Sequence, residues 1–401
     1  MRSPAPVPAS IRARIVEEGL ASERTLLLAD GLVVECIAAG VPRYAVDLPG
    51  HLVFPALVNA HDHLQLNAFA RPEGIGPKAN SYDWIDAFRP RLDEPAVKAV
   101  RRIPSATRAW HGGLKNLLSG TLLVAHHDPW EEVFDAPDFP VDVLRAFGWS
   151  HSLGLAGRYG PAVAESLAAT PPADPWFIHL AEGVDAVAAT ELSRLEELGA
   201  FGPNGVFVHG LGLGPADVAR VVERGAGVVW CPSSNLFMFG RTLDPALLAT
   251  NGALALGTDS RLTGAFDLLS ELRTAAANGA LSPLAVLRLA TSGAARLLRV
   301  PGAGGLAPSQ RADLVVLRDP GGDPSAALLS ASRADLRAVI RRGAPVLADP
   351  DFAGWFEAAG VPVVAIRLDG HPKLCAASAL RLREAVVLEP GLVVESPGST
   401  S

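Results

Sequence analysis

Phe54 to Gln65 reads FPALVNAHDHLQ, an apolar run that stops abruptly at His61-Asp62-His63. In an extended strand, residues i and i+2 point to the same face. The two imidazoles would therefore aim at one point while Asp62 faces away. Converging imidazoles suit Zn2+ or Fe2+, yet two ligands alone hold a metal weakly. The competing reading is a packed histidine pair, and only partners elsewhere in the chain can decide between them.

Outward from this stretch, between about residues 55 and 300, apolar runs alternate with helix-period stretches. The runs include TLLVAHH, DVLRAFGW, WFIHLAE, GVFVHG, GVVWCP and ALALGTD; between them lie stretches such as AVAATELSRLEELG and PADVARVVERG. This alternation predicts an α/β fold, a (β/α)8 TIM-like barrel. Several runs end in a polar residue: His61/His63, His126/His127, His179, His209 and Asp259. Active sites of such barrels lie at the carboxyl ends of the strands. Eight of the ten histidines fall between 61 and 209, so the first pair has partners and ligation outweighs packing.

The flanks have a different texture. Residues 1–22 read as a Pro-containing lead and a short polar helix. Short strands follow from Thr25 to about Phe54 and return after Pro301. The division predicted is 1–54 and 301–401 as two parts of a small β-sandwich domain formed by both chain ends, with 55–300 as the barrel. The tail SPGSTS reads as frayed.

Bulk properties narrow the class. With 49% hydrophobic and 19% charged residues the chain can bury a large core. A net charge of -7 without a basic block argues against a nucleic-acid partner. Three scattered cysteines exclude a disulfide framework. The start lacks an apolar signal region, and no run is long enough to span a membrane. A cytoplasmic protein acting on a small molecule is expected, with its oligomeric state open between monomer and homo-oligomer.

The ordered series PALVNAHDHL, GTLLVAHHD, IHLAEG, VHGLGL, VVWCPSSN, ALGTDS, ATSGAARLL and GGLAPSQRADLVVL resembles the metal-dependent amidohydrolase superfamily. Within it, the similarity is to the cytosine/guanine/S-adenosylhomocysteine deaminase and triazine hydrolase branch. The resemblance spans about residues 55–316. It implies His61, His63, His179 and Asp259 as ligands of one divalent ion, Zn2+ ahead of Fe2+. It implies His209 as the residue holding water or polarising substrate, and Glu182 as the proton shuttle, with Asp259 taking the water's proton. Such an ion lowers the pKa of a coordinated water to about 7, and a positioned carboxylate can pass the proton to a leaving nitrogen. Binuclear relatives bridge their metals with a carboxylated lysine on the fourth strand. No lysine lies between 116 and 372, so a mononuclear site is expected.

Further candidates each have a bland alternative. His127 and His151 could contact substrate or form structural hydrogen bonds. In CPSSN, the resemblance implies that Asn235 or Ser234 orients substrate, and a capped turn before a helix is the alternative. Arg261 could pair with an anionic substrate group or sit in a surface salt bridge. Trp84 could form a stacking wall or pack within its own loop. The sequence also departs from the family: only 27 residues separate His151 from His179, leaving the fourth strand degenerate within SLGLAG or the barrel distorted there. Ala56 replaces a customary Gly, and Asp62 a common Thr. The expected activity is hydrolysis of a C–N bond other than a peptide bond, foremost deamination of a heterocyclic amine. Opening of a cyclic amide, as by imidazolonepropionase, is the alternative, and a catalytically inactive barrel used for binding is the rival class.

Overall fold

The computed structural model describes residues 7–37 and 40–395, so most of the Pro-containing lead and the SPGSTS tail lie outside the described residues. The chain opens with strands β1 (Ala9–Glu17), β2 (Leu20–Ala29), β3 (Leu32–Val34) and β4 (Tyr44–Pro55). The short polar helix expected near the start is instead β1. Ala9, Ile11, Ala13 and Ile15 are buried while Arg12 and Arg14 alternate outward, a period of two that belongs to a strand.

Eight strands follow: β5 (Leu57–Asp62), β6 (Thr121–His126), β7 (Asp142–Val143), β8 (Gly148–Ser152), β9 (Trp176–Leu180), β10 (Gly205–His209), β11 (Gly227–Trp230) and β12 (Leu254–Leu256). Their pairings are all parallel and form two arcs, β5-β6-β7 and β8-β9-β10-β11-β12. A backbone hydrogen bond from Asp259 to the His61 carbonyl brings the far end of the second arc to β5.

Helices from the connecting segments cover one face of these strands. Ile178, Phe207, Val228, Trp230 and Leu256 pack in one cluster with Leu118, Leu192, Val221 and Leu272 of those helices. Residues of the opposite parity, including Val58, Ala60, Leu123, Ala125, Phe177, Val208 and Val229, form a separate cluster. Each fully buried Val, Leu or Phe contributes about 1.5–3 kcal/mol, so this two-sided burial is what holds the parallel strands.

The expected weak point is real but displaced. The third strand is reduced to Asp142–Val143, and Gly148–Ser152, read from sequence as the end of the third strand, is the fourth. Only 144–147 separate them, too few for a helix, and β7 and β8 do not pair. Of SLGLAG, Ser152 ends β8 and the remaining residues form turns.

Strands β13 (Leu314–Arg318), β14 (Leu336–Arg341), β15 (Ala344–Ala348), β16 (Val364–Leu368), β17 (His371–Cys375) and β18 (Leu392–Val394) complete the chain. With β1–β4 they form one ten-stranded sheet, order β18-β16-β17-β15-β14-β13-β4-β1-β2-β3. The two ends of the chain do combine, but into a continuous mixed sheet where a sandwich of separate sheets was expected. The cause is β4. It pairs with β1 on one edge and β13 on the other, so no break divides the strands. Its faces are both buried: Val53 joins Leu314 and Val316 in one core, while Leu52 and Phe54 join Val315 and Leu317 in the other.

Candidate metal centre

The histidine pair reaches its position through a bulge. Between Asn59 and Asp62 the β5 strand takes three steps where β6 takes two, from Val124 to His126. The extra residue reverses the parity set by Val58 and Ala60, and bulges are a known means of re-aiming a side chain. His209 and Asp259 are turned by another device. Both have left-handed backbones, φ 74° and 52°, as does Ala181 at 53°. These are costly conformations for residues with side chains, and all three stand at strand ends beside the site. At Ala181 the turn is held by its N–H donating to Glu191 Oε2 at 2.7 Å. The next residue but one, Gly183, lies where a Cβ would come within 2.6 Å of the Ala79 carbonyl oxygen. Glycine therefore lets the long loop after β5 close against the turn that carries Glu182.

His61, His63, His179 and Asp259 converge. His61 is fully buried with neither ring nitrogen bonded. His63 Nδ1 donates to Asp128 Oδ2 at 2.7 Å, and His179 Nδ1 donates to the His151 carbonyl at 2.8 Å. Their Nε2 atoms thus face one another, 3.3 Å apart. Asp259 Oδ1 is 3.8 Å from His63 Nε2 and 4.0 Å from His61 Nε2. Two nitrogens on one tetrahedral zinc, at about 2.0–2.1 Å each, stand roughly 3.3 Å apart. The donor set and its orphaned His61 nitrogens fit a divalent metal.

The electrostatics agree. Burial first, then neighbouring imidazoles, hold His61 and His179 well below the usual histidine range, which keeps them in the neutral form a metal needs. Burial also opposes charge on His63, but the charge and hydrogen bond of Asp128 together with the charges of Asp259 and Asp62 outweigh it, and His63 is pushed up to about 9. Metal would take the place of that proton. For Asp259, burial opposes ionisation, yet His63, His209 and hydrogen bonds from Thr263 and Ser234 hold it below the usual carboxylate range. Glu182 goes the other way: burial, aided by Asp259 and opposed by His209, raises it. Its Oε1 lies 3.4 Å from His209 Nε2.

The remaining sequence candidates divide. Asn235 Oδ1 accepts from His209 Nδ1 at 2.9 Å, so it orients a histidine rather than facing substrate. His127 Nε2 donates to the Ser150 carbonyl at 3.0 Å, leaving a buried, unpartnered Nδ1 beside His61 and His179. His151 lies at the end of β8, its ring centroid 4.7 Å from that of His179.

Two assignments are corrected. Arg261 offers no free fork to an anionic substrate, because Glu389 occupies it from two sides at 2.9 and 3.0 Å while Phe266 stacks beneath. Trp84 is not an open wall: it is buried, stacked on Phe88 at 5.3 Å, in a cluster that joins its loop to Phe237, Met238, Phe239 and Leu262.

Sequence reasoning missed Asp128, Thr263 and Lys115, and read Ser234 as a candidate to orient substrate where it holds Asp259. Asp128 anchors His63 and also receives Gln65 and Tyr159; its place directly after His126-His127 was the available signal. Ser234 and Thr263 both donate to Asp259 Oδ2, at 2.8 and 2.7 Å. Lys115, on the helix Ser105–Leu118, is fully buried against Asp62.

Residues 176–364 match the model of the Amidohydrolase family. An 8-oxoguanine deaminase from Pseudomonas aeruginosa is 26% identical over 406 aligned residues, covering 79% of this chain and 88% of the relative. A 5-methylthioadenosine/S-adenosylhomocysteine deaminase from Nitratidesulfovibrio vulgaris is 28% identical, covering 76% and 80%. Among solved structures, a zinc-bound adenosine deaminase from Xanthomonas campestris superposes with a TM-score of 0.67 at 22% identity, over 89% of this chain and 98% of that one. A zinc complex of atrazine chlorohydrolase from Arthrobacter aurescens gives 0.68 at 18% identity, over 88% and 100%. At these identities the structures speak for the fold.

Proposed function

We propose that the chain, whose residues 176–364 match the Amidohydrolase family and whose relatives include named deaminases, is a metal-dependent hydrolase of carbon–nitrogen bonds that deaminates a heterocyclic amine. We read β5–β12 as a (β/α)8 barrel spanning 55–300, flanked by a β domain of 1–54 and 301–401. One divalent ion, Zn2+ ahead of Fe2+, would be held by His61, His63, His179 and Asp259. When bound, such an ion activates water for attack at neutral pH.

The protein's own groups then handle the protons. Glu182 is the observation that carries the reading: a buried carboxyl, raised by that burial, set 3.4 Å from His209 at the edge of the nitrogen cluster. Burial that opposes its ionisation favours the protonated carboxyl, which can release its proton to a leaving amino nitrogen. His209 donates from Nδ1 to Asn235, which fixes its ring and turns Nε2 toward Glu182 and substrate. Asp259, kept ionised, is the acceptor for the proton taken from water. His127 Nδ1, buried and unpartnered, is available as a hydrogen-bond acceptor for a ring N–H. The aminopurine substrates in the names of the curated relatives support a nitrogen heterocycle here.

The test is ammonia release from a panel of aminopurines and aminopyrimidines, run beside lactams and with metal content measured. We expect near one metal per chain and ammonia from at least one heterocyclic amine. Glu182→Gln should keep the metal and lose roughly 10²–10⁴-fold in turnover. A metal-free active protein, activity confined to lactams, or a fully active Glu182→Gln variant would overturn the assignment.

A further inference from the structure

We infer that Lys115 is a positioning residue for the metal: with Asp62 it clamps the strand bearing His61 and His63 to the turn bearing Asp259. This rests on the metal reading above. The seam between β5 and β12 needs such a clamp. The two strands belong to different sheets, and among the described residues one backbone hydrogen bond, Asp259 to the His61 carbonyl at 3.1 Å, crosses directly between the ligand-bearing segments. Yet Asp259 and the two histidines must keep a fixed spacing if one ion is to bind all three.

Side chains supply what the ladder lacks. Lys115 Nζ donates to Asp62 Oδ2 at 3.0 Å, Asn67 Oδ1 at 2.9 Å and Thr258 Oγ1 at 3.3 Å. That uses all three ammonium protons. Asp62 is equally filled, accepting also from Asn116 and Asn59 on Oδ2 and from Asn67 on Oδ1. Asn59 Oδ1 takes both the His61 N–H, at 3.3 Å, and the Thr258 N–H, at 3.1 Å. Thr258 in turn donates to the Asp259 carbonyl at 2.8 Å. A short path of hydrogen bonds thus joins the backbone between the two histidines to the backbone of the aspartate.

The helix carrying Lys115 is brought in unusually close. At Gly112 a Cβ would come within 2.2 Å of the Leu64 carbonyl oxygen, so glycine lets the helix lie directly on the turn after His63. Asp62, Lys115, Asn59, Asn116 and Thr258 are all 0–1% exposed. A buried ion pair gives little net stability compared with apolar side chains of the same volume. A fully satisfied buried network does fix one geometry, and here that geometry is the spacing of metal ligands. The sequence difference at Asp62, unremarkable on its own, then has a partner in Lys115.

The experiment measures zinc affinity of the full chain by competition with a chromogenic chelator, together with the unfolding temperature of the metal-stripped protein. Lys115→Met leaves a buried carboxylate unpaired and should lower both. The double variant Asp62→Asn/Lys115→Met removes both charges, so its metal-free unfolding temperature should recover while zinc binding stays roughly 10–100-fold weaker than wild type, the scale of outer-partner losses. Thr258→Val, which uncovers no charge, should weaken zinc about 10-fold. Wild-type zinc affinity in the double variant, or in Thr258→Val, would overturn the positioning role. Failure of the wild-type chain itself to bind zinc would instead sink the metal reading on which it rests.

Discussion

Glu271 offers a quantitative test of how the site is supported. It lies on the helix Leu268–Ala277, fully buried, with Oε1 accepting the Ser233 N–H at 3.0 Å and Oε2 without a partner. Ser233 begins the stretch that delivers Ser234 to Asp259 and Asn235 to His209. Burial raises this carboxyl from 4.5 to about 8. The native state therefore holds a proton that the unfolded chain releases above pH 4.5. Its stabilising contribution is complete below that pH and declines as pH rises toward 8. At 1.36 kcal/mol for each tenfold change, the full decline is about 5 kcal/mol. Glu271→Gln keeps the acceptor for Ser233 and cannot ionise. In urea unfolding from pH 5 to 9, the two proteins should match within about 1 kcal/mol at pH 5. The glutamine variant should then gain progressively, to several kcal/mol above pH 8. Any pH dependence from other groups cancels in the difference. A difference that stays constant across this range would refute the argument, since it would mean that the native carboxyl ionises as freely as an exposed one.

Two further outcomes are expected. Asp128→Asn removes the carboxylate that orients His63 and should weaken zinc roughly 10–100-fold in chelator competition; unchanged affinity would mean that the ring is fixed by other contacts. Glu389→Ala leaves Arg261 and Arg333 without their shared buried partner and should cost about 3–5 kcal/mol in denaturant unfolding, whereas a loss below 1 kcal/mol would show that water or Asp369 takes over.

Strand-end polar residues were the most legible part of the chain. His61, His63, His179, His209 and Asp259 each terminate a buried apolar run, so a period-two reading finds them without knowledge of the fold. Glu182 was legible by its distance from His179. What supports them was not. Lys115 sits in a helix where a lysine reads as solvated surface, and only the contact across Gly112 reveals its burial. Glu271 and Glu389 are single acids whose partners come from distant segments. Local charge also misled: IRARIVEE suggested a polar helix, although its apolar residues alternate as a strand's do. The third strand defeated pattern reading for a simpler reason. Two residues, Asp142 and Val143, are too short a window to show any period, so the fourth strand was taken for the third.

The place of β4 in the ten-stranded sheet has a consequence for the order of synthesis. One of its edges pairs with β1, made earlier, but the other waits for β13, about 260 residues further along the chain. While the ribosome makes the intervening strands and helices, that second edge lacks β13, and Leu52 and Phe54 lack the β13 residues that later lie beside them. Unpaired strand edges and uncovered apolar side chains are what chaperones bind and what aggregates recruit. β5 follows β4 after Ala56 alone. The strand that leads to His61 and His63 is thus tethered, until residues 314–318 are made, to a segment with one edge still open.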